Sequence, residues 1–424
     1  MRNVLVICPT GREYRDLPSI AARLNCRVIF EDFAADVFDD LLTCGEAETP
    51  LDILALIEQT IERHSRSNLS GVTCAVGYPG MSVASIIAKH FNLPGPDIEC
   101  VLMCEHKYYS RIAQQSLVPH AVPPFQLIDP HNPNQLKEEI GFPLFLKPVK
   151  SCFSINAHRV DSASELRRYA AQSLLPQGFL KPFNDLLKTY TEYEWDGSYL
   201  LAESLLTGRQ VSLEGYVYRG RVHTLGIIDS VMYPGTISFK RFEYPSSLSA
   251  GVQERMARIA ETFIEGIGYD NALFNIEFMY DPATDLIRII EINPKIASQF
   301  PDLFEKVDGT NTYSVLLSLA LGVEPVFTRR KGDFKLAASC VLRTFEDQRV
   351  LAVPNVEQIA SLTEKFPDSR IEICAVAGKK LSEVMQDGKS YRYGLINIGA
   401  DSPEELEAKF QFLKGSLDFQ FARV

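Results

Sequence analysis

Asn275-Ile276-Glu277-Phe278, followed by Ile289-Ile290-Glu291-Ile292-Asn293-Pro294-Lys295, is the most informative stretch of the chain. Two apolar runs, residues 273–280 and 286–293, flank Asp281-Pro282-Ala283-Thr284-Asp285 and predict a hairpin centred near Thr284. In that register Glu277 and Glu291 sit opposite each other, and period-two alternation puts Asn293 on the face of Glu291. Two like charges so placed repel unless a cation lies between them. Hard oxygen ligands with an adjacent Asn amide suit Mg²⁺, held by a few carboxylates plus substrate phosphates. The bland alternative is a pair of solvated glutamates on an exposed strand face. The surrounding Ile, Phe and Leu residues place these strands in a core, which favours the metal.

Outward from the hairpin, strands are expected over residues 199–203, 211–218, 222–230 and 236–242, with a helix over 253–264. That is mixed α+β with a largely antiparallel sheet. Before it come a helix over 104–116, strands over 125–128, 144–148 and 154–160, and a helix over 162–174. The first hundred residues instead alternate strand and helix: strands over 3–8, 27–30 and 71–76, helices over 17–24, 51–61 and up to about His90. Such alternation predicts a parallel sheet with helices on both faces. The last ninety residues read as another α+β unit, with strands over 335–343, 370–377 and 393–398 and a helix over 403–413.

Composition sets the outer limits. The 424 residues suggest two to three domains at roughly 150 residues each. Apolar (46%) and charged (23%) fractions are ordinary for a globular chain and argue against disorder. A net charge of −11 argues against a general nucleic-acid or anionic-membrane binder, although a few lysines and a metal can still build a nucleotide pocket. No run approaches about 18 apolar residues, so no membrane span is expected. Val4 to Cys8 is too short for a signal-peptide core. Nine Cys without a CxxC pair suggest reduced thiols in a cytosol, and seven His without HxH or HExxH argue against zinc.

Glu277 and then Glu291-Ile292-Asn293-Pro294-Lys295 resemble the metal-binding hairpin of ATP-grasp enzymes, whose pattern is a Glu, a turn and Glu-hydrophobic-Asn-Pro-Arg. The resemblance extends beyond the hairpin. Phe142-Pro143-Leu144-Phe145-Leu146-Lys147-Pro148-Val149 resembles the strand carrying the family's second nucleotide lysine. Glu105-His106-Lys107 resembles the helix start carrying the first. Leu201-Ala202-Glu203-Ser204-Leu205-Leu206-Thr207-Gly208 resembles the adenine hinge. Any one is weak; four in family order over residues 104–322 form a strong signal.

The resemblance implies α/β and α+β architecture. An ATP-grasp domain (104–328) would follow a Rossmann-like pre-ATP-grasp domain (1–103) and precede a small C-terminal α+β domain (329–424). The closest pattern is the L-amino-acid ligase and biotin-carboxylase-like branch. It implies ATP with Mg²⁺ or Mn²⁺ as cofactors, the metal on Glu277, Glu291 and Asn293. Lys107 and Lys147 would hold phosphates, and Ser154 fits the serine of the phosphate loop. Glu203 would mark the hinge, with the Leu206 N–H reading the adenine edge. Leu205 and Leu206 would sandwich the ring, and Gln210 would reach the ribose. Lys295 would act on the transferring phosphoryl group. Glu214, Lys240 and Arg241 are candidate substrate residues; adjacent Lys240 and Arg241 should point to opposite faces of a strand.

Two departures from the family pattern stand out. The phosphate loop, Lys150-Ser151-Cys152-Phe153-Ser154-Ile155-Asn156, contains no Gly, so it should be stiffer, with Phe153 available to pack over the nucleotide. Cys152 reads as an inert loop thiol. Lys295 stands where the family usually has Arg, offering one charge instead of a bidentate fork. The implied activity is a cytoplasmic carboxylate–amine ligase with an acyl-phosphate intermediate. Its partners would be a small, amino-acid-like carboxylate and an amine, with neither nucleic acid nor membrane involved and a homodimer left open. Biotin-carboxylase-like carboxylation and a catalytically reduced ATP-binding sensor are the alternatives.

Overall fold

The computed structural model describes residues 1–33, 51–133, 136–152, 154–172, 175–384 and 390–424. β1 (Arg2–Ile7) is fully buried from Val4 to Ile7 and becomes the centre of a parallel sheet. α1 (Gly11–Arg23) starts at a capping box, in which the Glu13 carboxylate accepts the Thr10 N–H. β2 (Cys26–Glu31), α2 (Ile53–His64), β3 (Leu69–Thr73) and α3 (Gly80–His90) follow, and the strand order is β2-β1-β3, all parallel. This is the arrangement that the strand–helix alternation predicts.

The single helix expected over 104–116 is two helices, α4 (Ile98–Glu105) and α5 (Lys107–Leu117). His106 separates them. Its backbone is extended, its Nδ1 accepts the Tyr109 N–H at 3.4 Å, and its Nε2 bonds the Asp196 carbonyl at 3.1 Å. Burial pushes this imidazole down to about 4, so it serves as a neutral cap.

β4 (Phe125–Ile128), β5 (Leu144–Pro148), β6 (His158–Val160) and, after α6 (Ala163–Gln172) and α7 (Gln177–Tyr190), β7 (Leu200–Ser204) form an antiparallel sheet in the order β4-β7-β5-β6. β6 is shorter than expected because Ser154 and Asn156 take left-handed conformations, with φ of 58° and 57°.

β8 (Arg209–Tyr218), β9 (Arg221–Met232), β10 (Phe239–Tyr244), α8 (Ala250–Gly266), β11 (Leu273–Asp281) and β12 (Leu286–Asn293) build the larger sheet. α9 (Pro301–Asp308) and α10 (Thr312–Ala320) lead into β13 (Leu336–Thr344), β14 (Gln348–Ala352), α11 (Val356–Lys365) and β15 (Arg370–Ile373). β16 (Tyr391–Ala400), α12 (Pro403–Ser416) and β17 (Gln420–Arg423) complete the chain. The order is β12-β11-β8-β9-β10-β13-β16-β15, with β14 and β17 paired separately. The sheet therefore runs on across residue 329, where the sequence suggests a new unit. β13 covers the backbone edge that β10 would otherwise expose.

One apolar cluster joins Leu5, Ile7, Val83 and Ile87 of the first layer to Phe179 and Phe183 of α7 and to Phe274, Ile276, Phe278, Ile289 and Ile292 of the hairpin. The first layer and the hairpin thus share a core, which holds the hairpin's polar face in place.

Candidate active site

Glu277 and Glu291 are direct partners in the β11–β12 register, and Asn275 pairs with Asn293. Beyond Glu277 the register shifts, Phe278 facing Ile289, which leaves Ile290 as an extra residue. The bulge gives the Ile290 carbonyl two cationic donors, Arg111 Nη2 at 2.8 Å and Lys147 Nζ at 3.4 Å.

The two glutamates divide their charge. Burial and the facing Glu291 push Glu277 up to about 7. Burial would also raise Glu291, but Lys107, with Nζ 3.3 Å from Oε2, and Lys147 outweigh it and hold that carboxylate below its ordinary value. Gln210 donates to Glu277 Oε2 at 2.8 Å, so one of its amide hydrogens serves the carboxylate pair. Two opposed carboxylates with Asn293 on the same strand are a hard oxygen donor set. Glu291 already draws the Lys107 ammonium, and a cation would relieve the repulsion between the two carboxylates, so the residues fit Mg²⁺ or Mn²⁺. Below about pH 7 a bound divalent ion must displace the Glu277 proton, so affinity should rise with pH through that value. Mn²⁺ titration followed by electron paramagnetic resonance, at about pH 6 and about pH 8, should show tighter binding at the higher pH; equal affinity would remove Glu277 from the ligand set.

Lys147, on β5, is buried with Nζ 2.8 Å from Glu203 Oε2. Arg111 Nε reaches the other Glu203 oxygen at 2.5 Å. Against the cost of burial, these two cations hold Glu203 down to about 2. The Glu203 carboxylate therefore turns inward to position Lys147, while Leu205 and Leu206, half-buried, follow β7 on the hinge.

Arg111 is not among the residues read from the sequence. Its signal is the polar set Lys107, Ser110, Arg111 and Gln114, spaced i, i+3, i+4 and i+7 on one face of α5. Ser110, Arg111 and Gln114 are buried, and Gln114 accepts from Arg111 Nη1 at 2.5 Å. Removing one member of a buried ion network costs about 3–5 kcal/mol. Arg111→Met should lower unfolding stability by that order in urea titrations; a loss under about 1 kcal/mol would mean that Lys147 alone satisfies Glu203.

Lys107 also donates to the Ser151 carbonyl at 3.0 Å, tying α5 to the phosphate loop. Lys150 pairs with Glu105 at 2.7 Å and lies 4.4 and 4.7 Å from the Tyr78 and Phe183 ring centres. Ser154 is exposed in the loop, and burial pushes Cys152 up to about 11, an inert thiol at neutral pH. Phe153 lies outside the described residues. Lys295 runs beside the first layer: a Cβ added to Gly77 would sit 3.3 Å from its Cδ and Cε.

The three candidate substrate residues each have protein partners of their own. Glu214 is fully buried, bonded to Asn275 Nδ2 at 2.6 Å and the Ala297 N–H at 3.3 Å, and burial raises it to about 8. Arg241 binds Glu243 at 2.5 Å and Glu407 of α12 at 2.7 Å. Lys240 is the extra residue where the β9–β10 register shifts, and it also acts on Glu407. The bulge defeats the expected alternation, and β10 lies three strands from β11.

Opposed acidic residues on a hairpin, Lys147 from a second sheet and Lys107 from α5 thus converge on one another. Residues 140–300 match the family model of the ATP-grasp domain, and the fold is an ATP-grasp fold. It is 24% identical over 290 residues to an uncharacterized protein, y4rH, of Sinorhizobium fredii. That match covers 68% of this chain and 56% of the relative, so the chain spans about half of the relative's length. The L-amino acid ligase from Bacillus licheniformis superposes with a TM-score of 0.71 at 18% identity, covering 100% of this chain and 99% of that one. The biotin carboxylase domain of Hydrogenobacter thermophilus 2-oxoglutarate carboxylase, solved with MgADP and bicarbonate, gives 0.67 at 14%, covering 99% and 91%. Among the described residues no helix is long and apolar enough to cross a membrane.

Proposed function

We propose that the chain is an ATP-dependent carboxylate–amine ligase acting on a small, amino-acid-like carboxylate. The observation that carries this reading is the in-register Glu277–Glu291 pair, with Lys107 and Lys147 acting on it from α5 and β5. A divalent ion on Glu277, Glu291 and Asn293 would supply charge neutralisation to the ATP phosphates. Lys107 and Lys147 would hold the α- and β-phosphates, Lys147 exchanging part of its Glu203 contact for phosphate oxygen. The hinge leucines Leu205 and Leu206 would flank the adenine.

A carboxylate oxygen of the first substrate attacks the γ-phosphorus, and the bond from that phosphorus to the ADP oxygen breaks, giving an acyl phosphate. The amine nitrogen of the second substrate attacks the acyl carbon, phosphate leaves, and the nitrogen gives up a proton. Lys295 stabilises the charge on the transferring group, and the rigid shared core keeps the reacting groups in line.

Pairwise screening of amino acids for ATP-dependent phosphate release tests the proposal. Release of ADP and phosphate only when a carboxylate and an amine are both present is expected. A requirement for bicarbonate and biotin would replace the ligase with a carboxylase. ATP binding without turnover under every pair would replace it with a sensor.

A further inference from the structure

Glu214, Asn275 and Asn293 stand in one row across three neighbouring strands. Asn275 is the register partner of Glu214 on β8 and of Asn293 on β12. The next row along the same face is Ser212, Glu277 and Glu291. The proposed metal ligands are thus one end of each row, plus Glu277, and Glu214 is the fully buried far end of the Asn293 row. Burying a carboxyl group is costly unless its oxygens are used. Here Oε1 takes two donors, Asn275 Nδ2 at 2.6 Å and the Ala297 N–H at 3.3 Å.

We infer that Glu214 is a positioning residue that sets the amide orientation of Asn293 through Asn275. An Asn side chain has one donating and one accepting end. Glu214 Oε1 demands the donor, so Asn275 turns Nδ2 toward it and Oδ1 toward Asn293. That oxygen accepts Asn293 Nδ2 at 3.2 Å. The row thereby uses the nitrogen of Asn293 and leaves its oxygen, the atom a hard cation takes, out of the row. Without an acceptor at 214 the Asn275 amide can turn over, present its nitrogen to Asn293 and claim that oxygen. The Ala297 contact adds a second function, pinning the chain two residues after Lys295. Outer contacts of this kind typically change metal affinity by about 10–100-fold.

The inference rests on the metal reading above, and the test separates the two. Mn²⁺ binding to the full chain in the presence of ATP is measured by electron paramagnetic resonance, and binding of a fluorescent ATP analogue is measured in chelator. Glu214→Leu should weaken Mn²⁺ by about 10–100-fold and leave metal-free nucleotide binding within about threefold. Glu214→Gln, whose amide oxygen still accepts from Asn275, should stay close to wild type. Asn275→Leu should reproduce the loss and serves if Glu214→Leu does not fold. Asn293→Ala should lose a similar factor, and Glu214→Leu added to it should cost nothing further, which a merely structural role would not produce. Additive losses, or wild-type Mn²⁺ affinity in both Glu214→Leu and Asn275→Leu, would overturn the inference while the metal reading stands. A wild-type chain that binds ATP but no Mn²⁺ would overturn both.

Discussion

Glu291→Gln will reduce ATP-dependent phosphate release to below about 1% of wild type at saturating Mg²⁺ while the fold persists. Glu291 is the ionised member of the pair, held so by Lys107 and Lys147, so it is the charge that a cation meets first. Its partner is raised to about 7, so at neutral pH it carries only part of its charge before a cation arrives. Neutralising Glu291 removes that anchor, and Glu277 alone must then carry the metal from a buried site. Removal of a charge from two facing carboxylates suggests a gain in stability for the metal-free protein. The geometry offsets that gain, because Lys107 loses its carboxylate at 3.3 Å and keeps the Ser151 carbonyl. Thermal melting should therefore move little while turnover collapses. Activity near wild type would remove the metal from this hairpin.

The hairpin was legible because its information is local. The turn places the two glutamate-bearing runs against each other to within one residue, the extra residue at Ile290 brings Glu291 opposite Glu277, and burial of the flanking Ile and Phe residues fixes the face. β4, β5 and β12 match their expected limits for the same reason. What stayed illegible depends on distant partners or on single-residue irregularities. Arg111 becomes functional only because Glu203 and the Ile290 bulge meet it, although its spacing on α5 was visible. α10 is buried almost all round, so it lacks the polar face that reveals a helix. The β10–β13 pairing joins residues about a hundred positions apart and has no local signature. Lys240 and Arg241 both act on Glu407 against the expected alternation, since alternation assumes an unbroken ladder and a bulge interrupts this one.

Lys295→Ala should lower kcat and kcat/KM together by about 10²–10³, with nucleotide affinity nearly unchanged. A group that meets charge mainly in the transition state contributes little to ground-state binding. Lys295 stands where the ATP-grasp pattern has Arg, and its surroundings give the difference a physical cause. The Cδ and Cε atoms pass Gly77 so closely that a β-carbon there would sit 3.3 Å from both. A slender stem ending in a compact ammonium fits this slot, whereas a planar guanidinium is wider at the same depth. Lys295→Arg should therefore retain more activity than Lys295→Ala, because the charge survives, and less than wild type, because the fork must displace its neighbours. Gly77→Ala provides the converse test. It leaves every charge in place and presses on the stem, so it should lower kcat and spare nucleotide binding, with a smaller effect than loss of the lysine. Steady-state kinetics on the three variants decide the matter. If Lys295→Ala and Lys295→Arg both match wild type, the lysine takes no part in phosphoryl transfer. If Lys295→Arg alone exceeds wild type, the slot beside Gly77 imposes no size limit and the lysine is a weakened arginine.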